Sequence, residues 1–472
     1  MVRQLSSWRK AGYASVESGV TAFELLLQVY LLEFYIRACG LDPLLASAGA
    51  VIAVAWDAVS DPLMGVVSDR TGSRRWGRRG GYILLGALLL GGSGIAMFNP
   101  PAQLLLEPGS NASQGALFVW YLLSYLLVNS SMTLVSVPHV ALVGDFASES
   151  TERNRFFAWR LLFSNVGLLL GITLPTQLAS GGDVMQGRSD AAVVLAGVLV
   201  LNSVICWCSI RTRDVYPIAS GQGRATFGMQ GLVESIRALF SVFQNRYFRN
   251  LVFAFCLAAI ARALNSGFAL FYYKDALGLN EERQVSLILI VFIVSIVIGI
   301  PLWLMLSRRF WKRRPALVGL TLLTILTFVT YPFFPYGSVA GPLVMAVLGG
   351  IAVGSILLLE SLVLDTIDFD AAQRGQRRDG AHFGCLKMAS KLARAAGIGL
   401  TGPLLFWVGY EAGAAVQSDQ VAQRLRLVFG VGVGFFFLLA AIVFSQFGMT
   451  RAQHEQIKQR LAADAAGGSG AG

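Results

Sequence analysis

Two carboxylates lie four residues apart within a long apolar stretch of this 472-residue sequence. Asp57 and Asp61 would share one face of a helix, because four residues turn a helix through about 40° more than one full turn. Two like charges this close cannot both ionise cheaply unless a cation lies between them, so one carboxylate takes a proton or both share a sodium ion. The spacing therefore predicts a cation site.

Two hydroxyls on a later apolar stretch add oxygen donors of the same kind. Thr133 and Ser136 are three residues apart, and Pro138 follows them and loosens the backbone hydrogen bonding. Hydroxyl and carbonyl oxygens are hard ligands that suit a small hard cation. Hydroxyls in membrane helices more often bond back to their own backbone, so this pair supports a cation site only together with the acids.

Basic side chains also occur where a membrane span is expected. Lys391 and Arg394 lie near one face of a span, and the chain has only 6 lysines against 32 arginines. A buried Lys391 ammonium could neutralise the acid pair when no cation is bound, or the lysine could reach the membrane interface. Ionisable residues in mid-span are functional candidates by default, although each could equally form an intramembrane salt bridge. The others here are Glu17, Glu24, Arg160, Arg262 and Glu360.

The elements that must position these residues are long apolar blocks. Apolar residues make up 55% of the chain and charged residues 14%, whereas soluble proteins carry about 25% charged residues. Each block is near the roughly 20 residues that a helix needs to cross a bilayer, which excludes a soluble protein and an outer-membrane barrel. The predicted fold is an all-α polytopic membrane protein with spans at 12–37, 44–67, 81–99, 116–143, 157–179, 191–210, 248–273, 285–306, 316–334, 339–365, 382–409 and 425–449.

The twelve spans form two sets of six. We expect a first half at 1–210, a linker with an amphipathic helix at 211–245, a second half at 246–450 and a flexible cytoplasmic tail at 451–472. Arginine-rich loops after the second, sixth and eighth spans place both termini in the cytoplasm. The net charge of +11 is therefore a topology signal rather than a nucleic-acid surface.

One basic turn occurs at the same place in each half, as Ser68–Arg75 and Ser307–Arg314. Such symmetry is expected of transporters built from repeats. The tendency of cytoplasmic loops to carry positive charge would by itself also explain the arginines. With glycines on both sides of Asp69 and Arg70, the first copy resembles the second-to-third loop of the major facilitator superfamily.

A closer resemblance involves the acid pair itself. The segment Trp56–Gly65 resembles the signature of the glycoside-pentoside-hexuronide cation symporters, the melibiose permease family. Three further regions are similar to that family, namely 137–160, 365–380 and 391–410. The resemblance implies sodium- or proton-coupled symport of a solute by alternating access.

The resemblance also implies roles for single residues. By position, Asp57, Asp61 and Thr133 would bind the cation, Lys391 would couple the ion to the solute, and Arg160 would lie on the solute side. A cytoplasmic gate would be formed by Asp69, Arg70, Arg153 and Asp365.

The chain departs from the sugar-transporting type at several of its positions. Ser136 and Thr21 stand where that type has aspartates, and Val140 and Ile356 stand at or near its tryptophans. Without the third carboxylate, sodium and proton remain equally open as the coupling ion. A more apolar cavity leaves room for an amphiphile, and the animal lysophosphatidylcholine symporters are similar in the second-span motif.

The candidate residues divide by role. The cation would be bound by Asp57, Asp61, Thr133 and Ser136, with Lys391 for coupling. The solute would be contacted by Thr21, Glu24, Val140, Arg160, Arg262, Ile356 and Glu360.

We therefore expect a cation-coupled secondary symporter, without a cofactor, that moves a small organic solute, with a sugar or glycoside ranked first. A lysophospholipid-like amphiphile is the alternative solute, and a non-transporting membrane scaffold on the same fold is the alternative class. An enzyme is disfavoured, since the three histidines lie far apart and no nucleophile elbow, phosphate loop or metal cluster is present. We expect a monomer in a bacterial plasma (inner) membrane, with a solute and lipid rather than nucleic acid as partners.

Overall fold

The computed structural model describes residues 6–70, 79–105, 113–146, 150–180, 183–210, 241–375, 377–414 and 416–468. The predicted linker helix therefore falls outside the described residues except for its last few positions. The side chains of Asp69, Arg70 and Arg153, three of the four predicted gate residues, also lie outside the described set.

The described chain is built from helices. The first part contains α1 Ser7–Ala14, α2 Val16–Glu33, α3 Pro43–Arg70, α4 Gly80–Met97, α5 Gln114–Phe146, α6 Ser150–Ala179 and α7 Val184–Ile210. The second part contains α8 Arg246–Phe271, α9 Glu282–Phe310, α10 Arg313–Thr330, α11 Ala340–Val353, α12 Leu357–Arg374, α13 Asp379–Val408, α14 Asp419–Leu427, α15 Val433–Ser445 and α16 Arg451–Gly468. Among the described residues there is no strand, and the all-α prediction is confirmed.

Eleven helical segments of the described chain are long and apolar enough to cross a membrane. The predicted eleventh span is a further helix, α13, which is 30 residues long and carries Lys387, Lys391 and Arg394. The polytopic fold is therefore confirmed, whereas the cytoplasmic position of the termini stays a prediction.

Two predicted spans are interrupted at positions where the apolar pattern is continuous. The tenth consists of α11, a 3₁₀ turn at Gly354–Ile356, and α12. The twelfth consists of α14, a π-helical turn at Val428–Gly432, and α15. Continuous apolarity hides such breaks, because a change in the hydrogen-bonding pattern leaves the hydropathy of a segment unaltered.

The first and seventh spans end in the same unusual way. A π-helical turn follows each helix, at Phe34–Ala38 and at Tyr272–Ala276. Gly40 and Gly278 come next with φ of 76° and 68°, a left-handed conformation that glycine adopts without steric cost. The two segments align without a gap, so the same local motif occurs twice in the chain.

The described residues form two compact units. The first consists of those within Met1–Gly221 together with Ser266–Ile290 and Ile398–Leu425, and the second of those within Gln222–Asn265, Val291–Gly397 and Arg426–Gly472. The division into two six-helix halves stays a prediction.

Glycines set the close helix contacts inside each unit. In the first unit a Cβ on Gly167 of α6 would lie 2.4 Å from the Ser18 carbonyl oxygen of α2. In the second a Cβ on Gly397 of α13 would lie 2.7 Å from the Ile260 carbonyl oxygen of α8. Small residues at such crossings let backbones approach, which fixes the side chains beside them.

Candidate cation and solute site

The acid pair lies on α3 in the first unit, where a hydroxyl from α5 contacts it. Thr133 donates a hydrogen bond from Oγ1 to Asp61 Oδ1 at 2.9 Å, and the Ser60 hydroxyl lies 3.3 Å from the same Thr133 oxygen. Asp57 and Asp61 are both half-buried. Three predicted cation ligands therefore share one pair of helices.

The crossing of α3 and α5 is held by further polar contacts. Asn129 donates to the Ala53 carbonyl at 2.7 Å, and the Trp56 indole donates to the Ser130 hydroxyl at 2.8 Å. In a membrane helix, such bonds avoid leaving buried polar groups without partners. They fix the register that places Thr133 beside Asp61.

Ser136, the fourth predicted ligand, makes a different contact. Its hydroxyl donates to the Met132 carbonyl of its own helix at 2.8 Å. This is the backbone bond that serine commonly forms within membrane helices. Among the predicted ligands, Asp57, Asp61 and Thr133 therefore lie on α3 and α5 with Ser60 beside Thr133, whereas the Ser136 hydroxyl has a partner in its own helix.

A polar face runs along α2. Glu17, Thr21, Glu24 and Gln28 recur at intervals of four, three and four residues and so lie on one side of the helix. The Thr21 hydroxyl lies 3.1 Å from the Ser164 hydroxyl of α6. Glu24 is exposed, which suits a predicted solute contact.

Two other residues of this face have described partners. Gln28 donates to the Ser266 hydroxyl at 3.2 Å, and Glu17 is held by two basic side chains. Arg160 of α6 contacts Glu17 through Nε at 2.6 Å and through an η nitrogen, while His139 Nδ1 lies 3.2 Å from Glu17 Oε1. The predicted solute-side arginine is therefore anchored to α2.

Val140 extends the face of α5 that carries Thr133 and Ser136. Its side chain is 43% exposed, so an apolar surface adjoins the oxygen donors. The role of Val140 as a solute contact stays a prediction.

The remaining predicted residues lie in the second unit. Arg262 of α8 interacts electrostatically with Glu360 of α12 and with Arg394 of α13. Lys391 is half-buried one turn away from Arg394 on α13. Ile356 is only 4% exposed within the 3₁₀ turn, so its side chain packs inside the unit.

Asp365, the predicted gate residue that the structure describes, is part of an ionic cluster in the second unit. Both of its carboxylate oxygens accept hydrogen bonds from Lys312, at 2.8 and 3.0 Å. His454 of α16 lies 3.6 Å from Asp365 and 3.4 Å from Asp368. The C-terminal helix is thereby joined to α12 by a buried imidazole.

Sequence reasoning missed a buried ionic cluster in the first unit, here called the four-charge cluster: Glu33, Arg188, Lys274 and Glu282. Lys274 donates to Glu33 at 2.8 Å and to Glu282 at 2.5 Å, and Arg188 donates to Glu282 at 3.0 Å. Each of the four residues is at most 6% exposed. Two carboxylates and two cations balance one another there, as burial requires.

A signal for this cluster was present in the sequence. Lys274 is one of only six lysines, and it lies one residue beyond the seventh span predicted at 248–273. The π-helical turn continues the span to Ala276 and so carries Lys274 inside. Next to the cluster, Arg37 lies 3.4 Å from Asp275, which also accepts a hydrogen bond from Tyr410.

Comparisons with known proteins agree with this architecture. The profile of a family described as MFS/sugar transport protein matches residues 12–451. The sodium-dependent lysophosphatidylcholine symporter 1-A of Danio rerio is 25% identical, over 97% of this chain and 89% of the relative. The inner membrane symporter YicJ of Escherichia coli is 23% identical, over 97% of this chain and 95% of the relative. The putative glycoside/cation symporter YagG of Escherichia coli is 24% identical with the same coverage.

Solved transporters share the fold. A bacterial homologue of the human lysosomal transporter Spinster, in an inward-facing and unoccupied conformation, has a TM-score of 0.64 at 16% identity, covering 94% of this chain and 98% of its own. The nucleoside transporter NupG has a TM-score of 0.63 at 13% identity, and the match covers 94% of this chain and 100% of its own. These identities support the fold alone.

Several predictions are confirmed by the family profile and these relatives. The chain is an integral, multi-pass protein of the plasma membrane with the major facilitator fold. It is a transporter rather than an enzyme, and the prediction of cation-coupled transport is confirmed at that level. The identity of the ion and of the solute, and the monomeric state, stay predictions.

Proposed function

The chain belongs to the family of MFS/sugar transport proteins, and from that premise we propose that it moves a sugar or glycoside together with Na⁺ or H⁺. Transport would proceed by alternating access, in which the bound cation raises the affinity for the solute and the loaded protein changes conformation.

The polar face of α2 is the observation that carries the sugar proposal. Glu17, Thr21, Glu24 and Gln28 together place two carboxylates, a hydroxyl and an amide on one side of a membrane helix. Each such group costs free energy in hydrocarbon, so this side of α2 faces polar groups: Ser164, Ser266 and Arg160 contact three of the four, and Glu24 is exposed. Sugar hydroxyls both donate and accept hydrogen bonds and therefore suit these groups.

The contact between Thr133 and Asp61 supports the cation part of the proposal. The Thr133 hydroxyl can rotate, so that its lone pairs face a sodium ion or its hydrogen remains on the Asp61 carboxylate. Sodium between the acids, or a proton on one of them, removes the repulsion between Asp57 and Asp61. A cation bound in this way stabilises the conformation that holds it, which is the basis of coupling.

A second candidate solute is an amphiphile such as a lysophospholipid. Two observations favour it: the exposed Val140 beside the oxygen donors, and the similarity to a relative named as a lysophosphatidylcholine symporter. An apolar surface next to a polar face would accept an acyl chain, and Arg160 or Arg262 would contact a phosphate head.

The coupling ion is tested by thermal unfolding of the purified protein. Unfolding midpoints are measured against NaCl, choline chloride of equal ionic strength, and pH, for the wild type and for Asp57→Asn/Asp61→Asn. A ligand that binds only the folded state stabilises it by about 2.7 kcal/mol at a hundredfold excess over its Kd. We expect stabilisation by sodium, or a pH dependence without a sodium effect, to disappear in the double variant.

A matched control is Asp183→Asn/Asp190→Asn, which removes two exposed carboxylates from the same unit. This control should keep the full ion response. An equal response in the Asp57/Asp61 variant would contradict the assigned site, and no response to sodium or pH in the wild type would contradict ion binding at this pair.

The solute is tested by uptake into proteoliposomes under an imposed sodium or pH gradient. We expect accumulation of a glycoside from a panel of radiolabelled sugars, and a loss of at least about tenfold in Glu24→Gln, since a lost hydrogen bond to a charged group costs about 1.5–3 kcal/mol. Glu281→Gln, an exposed loop carboxylate, is the control. Gradient-driven uptake of lysophosphatidylcholine with no sugar uptake would establish the second candidate instead.

A further inference from the structure

A basic pocket lies where α9, α10 and α16 meet in the second unit. Its lining includes Arg309, Arg313, Arg314 and Arg451, together with Phe310 and Trp311. The cavity volume is about 300 Å³, and none of the described residues that line it is acidic. Four guanidinium groups around one cavity create a strongly positive potential that favours an anion.

The backbone is bent so that these arginines converge. Trp311, between α9 and α10, has a φ of 59°, and it is the single non-glycine residue with a positive φ in the described chain. This left-handed turn brings Arg309 at the end of α9 and Arg313 at the start of α10 to one side. A bulky side chain in this conformation costs free energy, and such positions concentrate at binding sites.

Two of the arginines are already oriented. Arg313 donates to the Ser445 carbonyl at 3.0 Å, and Arg451 contacts Glu455 at 2.8 Å. Each guanidinium has five N–H donors, so these contacts leave donors on both for a ligand. Arg309 stacks near Phe310, with its guanidinium carbon 5.4 Å from the ring centre.

An apolar stripe on α9 leads away from the pocket. Ile298, Leu302 and Met305 are exposed and lie on the helix face that ends at Arg309, because the spacings of four, three and four residues keep one face. The opposite part of α9 is packed, since the Trp303 indole donates to the Ile351 carbonyl at 2.7 Å. The stripe is thus an exposed apolar surface that ends at a set of guanidinium groups.

We propose that this pocket binds the phosphodiester headgroup of an anionic glycerophospholipid, with an acyl chain along the Ile298–Met305 stripe. A phosphodiester matches the guanidinium groups by charge and geometry, and the apolar stripe fits a hydrocarbon chain. The distribution of arginines predicts that this face is cytoplasmic, where basic pockets between membrane helices bind anionic lipid heads. None of the residues that line the pocket belongs to the acid pair or to the polar face of α2, and the proposed lipid is one that the protein retains rather than transports.

The test titrates the purified full-length protein, in neutral detergent, with short-chain phosphatidylglycerol, with phosphatidylcholine of the same chain length and with inorganic phosphate. Affinities are obtained from the rise of the unfolding midpoint with ligand concentration. The variant Arg309→Gln/Arg451→Gln removes two pocket arginines, whereas Arg308→Gln/Lys458→Gln removes two exposed charges from the same helices outside the pocket.

We expect the pocket variant to weaken phosphatidylglycerol binding about tenfold or more, because each basic residue near a membrane surface contributes about 1 kcal/mol to anionic lipid binding. The control pair should change the affinity less than about threefold. Native mass spectrometry should show one phosphatidylglycerol retained by the wild type and by the control pair.

Three outcomes would overturn the proposal. Equal weakening in both double variants means that general surface charge attracts the lipid. Binding of phosphatidylglycerol that is unaffected by Arg309→Gln/Arg451→Gln means that another site holds it. Equal stabilisation by inorganic phosphate or by phosphatidylcholine means that the pocket takes a free anion, or that the headgroup charge does not matter.

Discussion

The four-charge cluster and the acid pair are both polar groups inside the first unit, yet they differ in how charge is balanced. Glu33 and Glu282 contact Lys274, and Glu282 also contacts Arg188, with side chains that are almost fully buried. Asp61 instead accepts a hydrogen bond from the neutral Thr133, and both acids are half-buried. A cluster whose charges are fully balanced by one another suits a role in holding helices together. Half-buried acids beside hydroxyls instead suit the exchange of a cation.

Charged residues inside a membrane protein therefore have two uses, and the extent of their burial distinguishes the two. A balanced and buried cluster resists rearrangement, because removing any member leaves an uncompensated charge in a medium of low dielectric constant. A partly exposed carboxylate pair can gain and lose a counter-ion at modest cost. A transporter that moves between conformations needs groups of both kinds.

The largest effect should follow the loss of Lys274. In Lys274→Met, two buried carboxylates lose their shared cation, and we expect the free energy of unfolding to fall by about 3–5 kcal/mol. Chemical unfolding in detergent measures this change in the free energy of unfolding. Adding Glu282→Gln should recover part of the loss, and Lys458→Met, at an exposed position, should change little. A fall below about 1 kcal/mol would show that the cluster is not a stabilising group.

The contact between Arg160 and Glu17 should give an intermediate effect, because its side chains are partly exposed. In Arg160→Met we expect a loss of about 1–3 kcal/mol, since Glu17 keeps only His139 as a described partner. The double variant with Glu17→Gln should be more stable than Arg160→Met alone. If the two losses simply add, the pair is not coupled.

The two hydroxyls of α5 offer a direct test of the acid pair. Thr133→Val removes the donor to Asp61, and we expect the cation concentration for half-maximal uptake to rise about tenfold. Ser136→Ala removes a hydroxyl that bonds to its own backbone, and uptake should change less than about twofold. A larger effect of Ser136→Ala than of Thr133→Val would show that the cation is bound by Ser136 rather than by Thr133.

The smallest effect should come from an exposed pair. Arg451 and Glu455 are i,i+4 neighbours on α16 with side chains more than half exposed. Glu455→Gln should change the free energy of unfolding by less than about 0.5 kcal/mol. A larger change would mean that α16 depends on this contact, and that exposure alone does not separate strong from weak ion pairs here.

Much of the fold could be predicted from the sequence. The bilayer demands about 20 apolar residues per helix, and this demand is visible as recurring blocks. The meeting of Thr133 with Asp61 followed partly from spacing and partly from family resemblance. Spacing alone could not have paired α3 with α5, because residues 72 positions apart are joined only by packing.

The parts that could not be predicted depend on local backbone geometry or on distant partners. The π-helical turn at Tyr272–Ala276 carries Lys274, one residue past the predicted end of the seventh span, into the protein, and no hydropathy scale detects such a turn. The contact of Arg160 with Glu17 could not be predicted from spacing, because residues 143 positions apart are brought together only by the packing of α6 against α2. A charged residue within a span predicts that a polar partner exists, but it does not identify which residue that partner is.

The matching turns after the first and seventh spans have one more consequence. Arg37 and Asp275 occupy equivalent positions in the two copies, 238 residues apart, as do Gln28 and Ser266. In both cases the equivalent residues contact each other, at 3.4 Å and 3.2 Å. Residues meet their own counterparts on a two-fold axis, so the residues around these two turns in the first unit are arranged as they would be in a symmetric dimer. A dimer of identical copies would place arginine against arginine at this position, whereas this single chain has an arginine in one copy of the turn and an aspartate in the other, so the two charges attract.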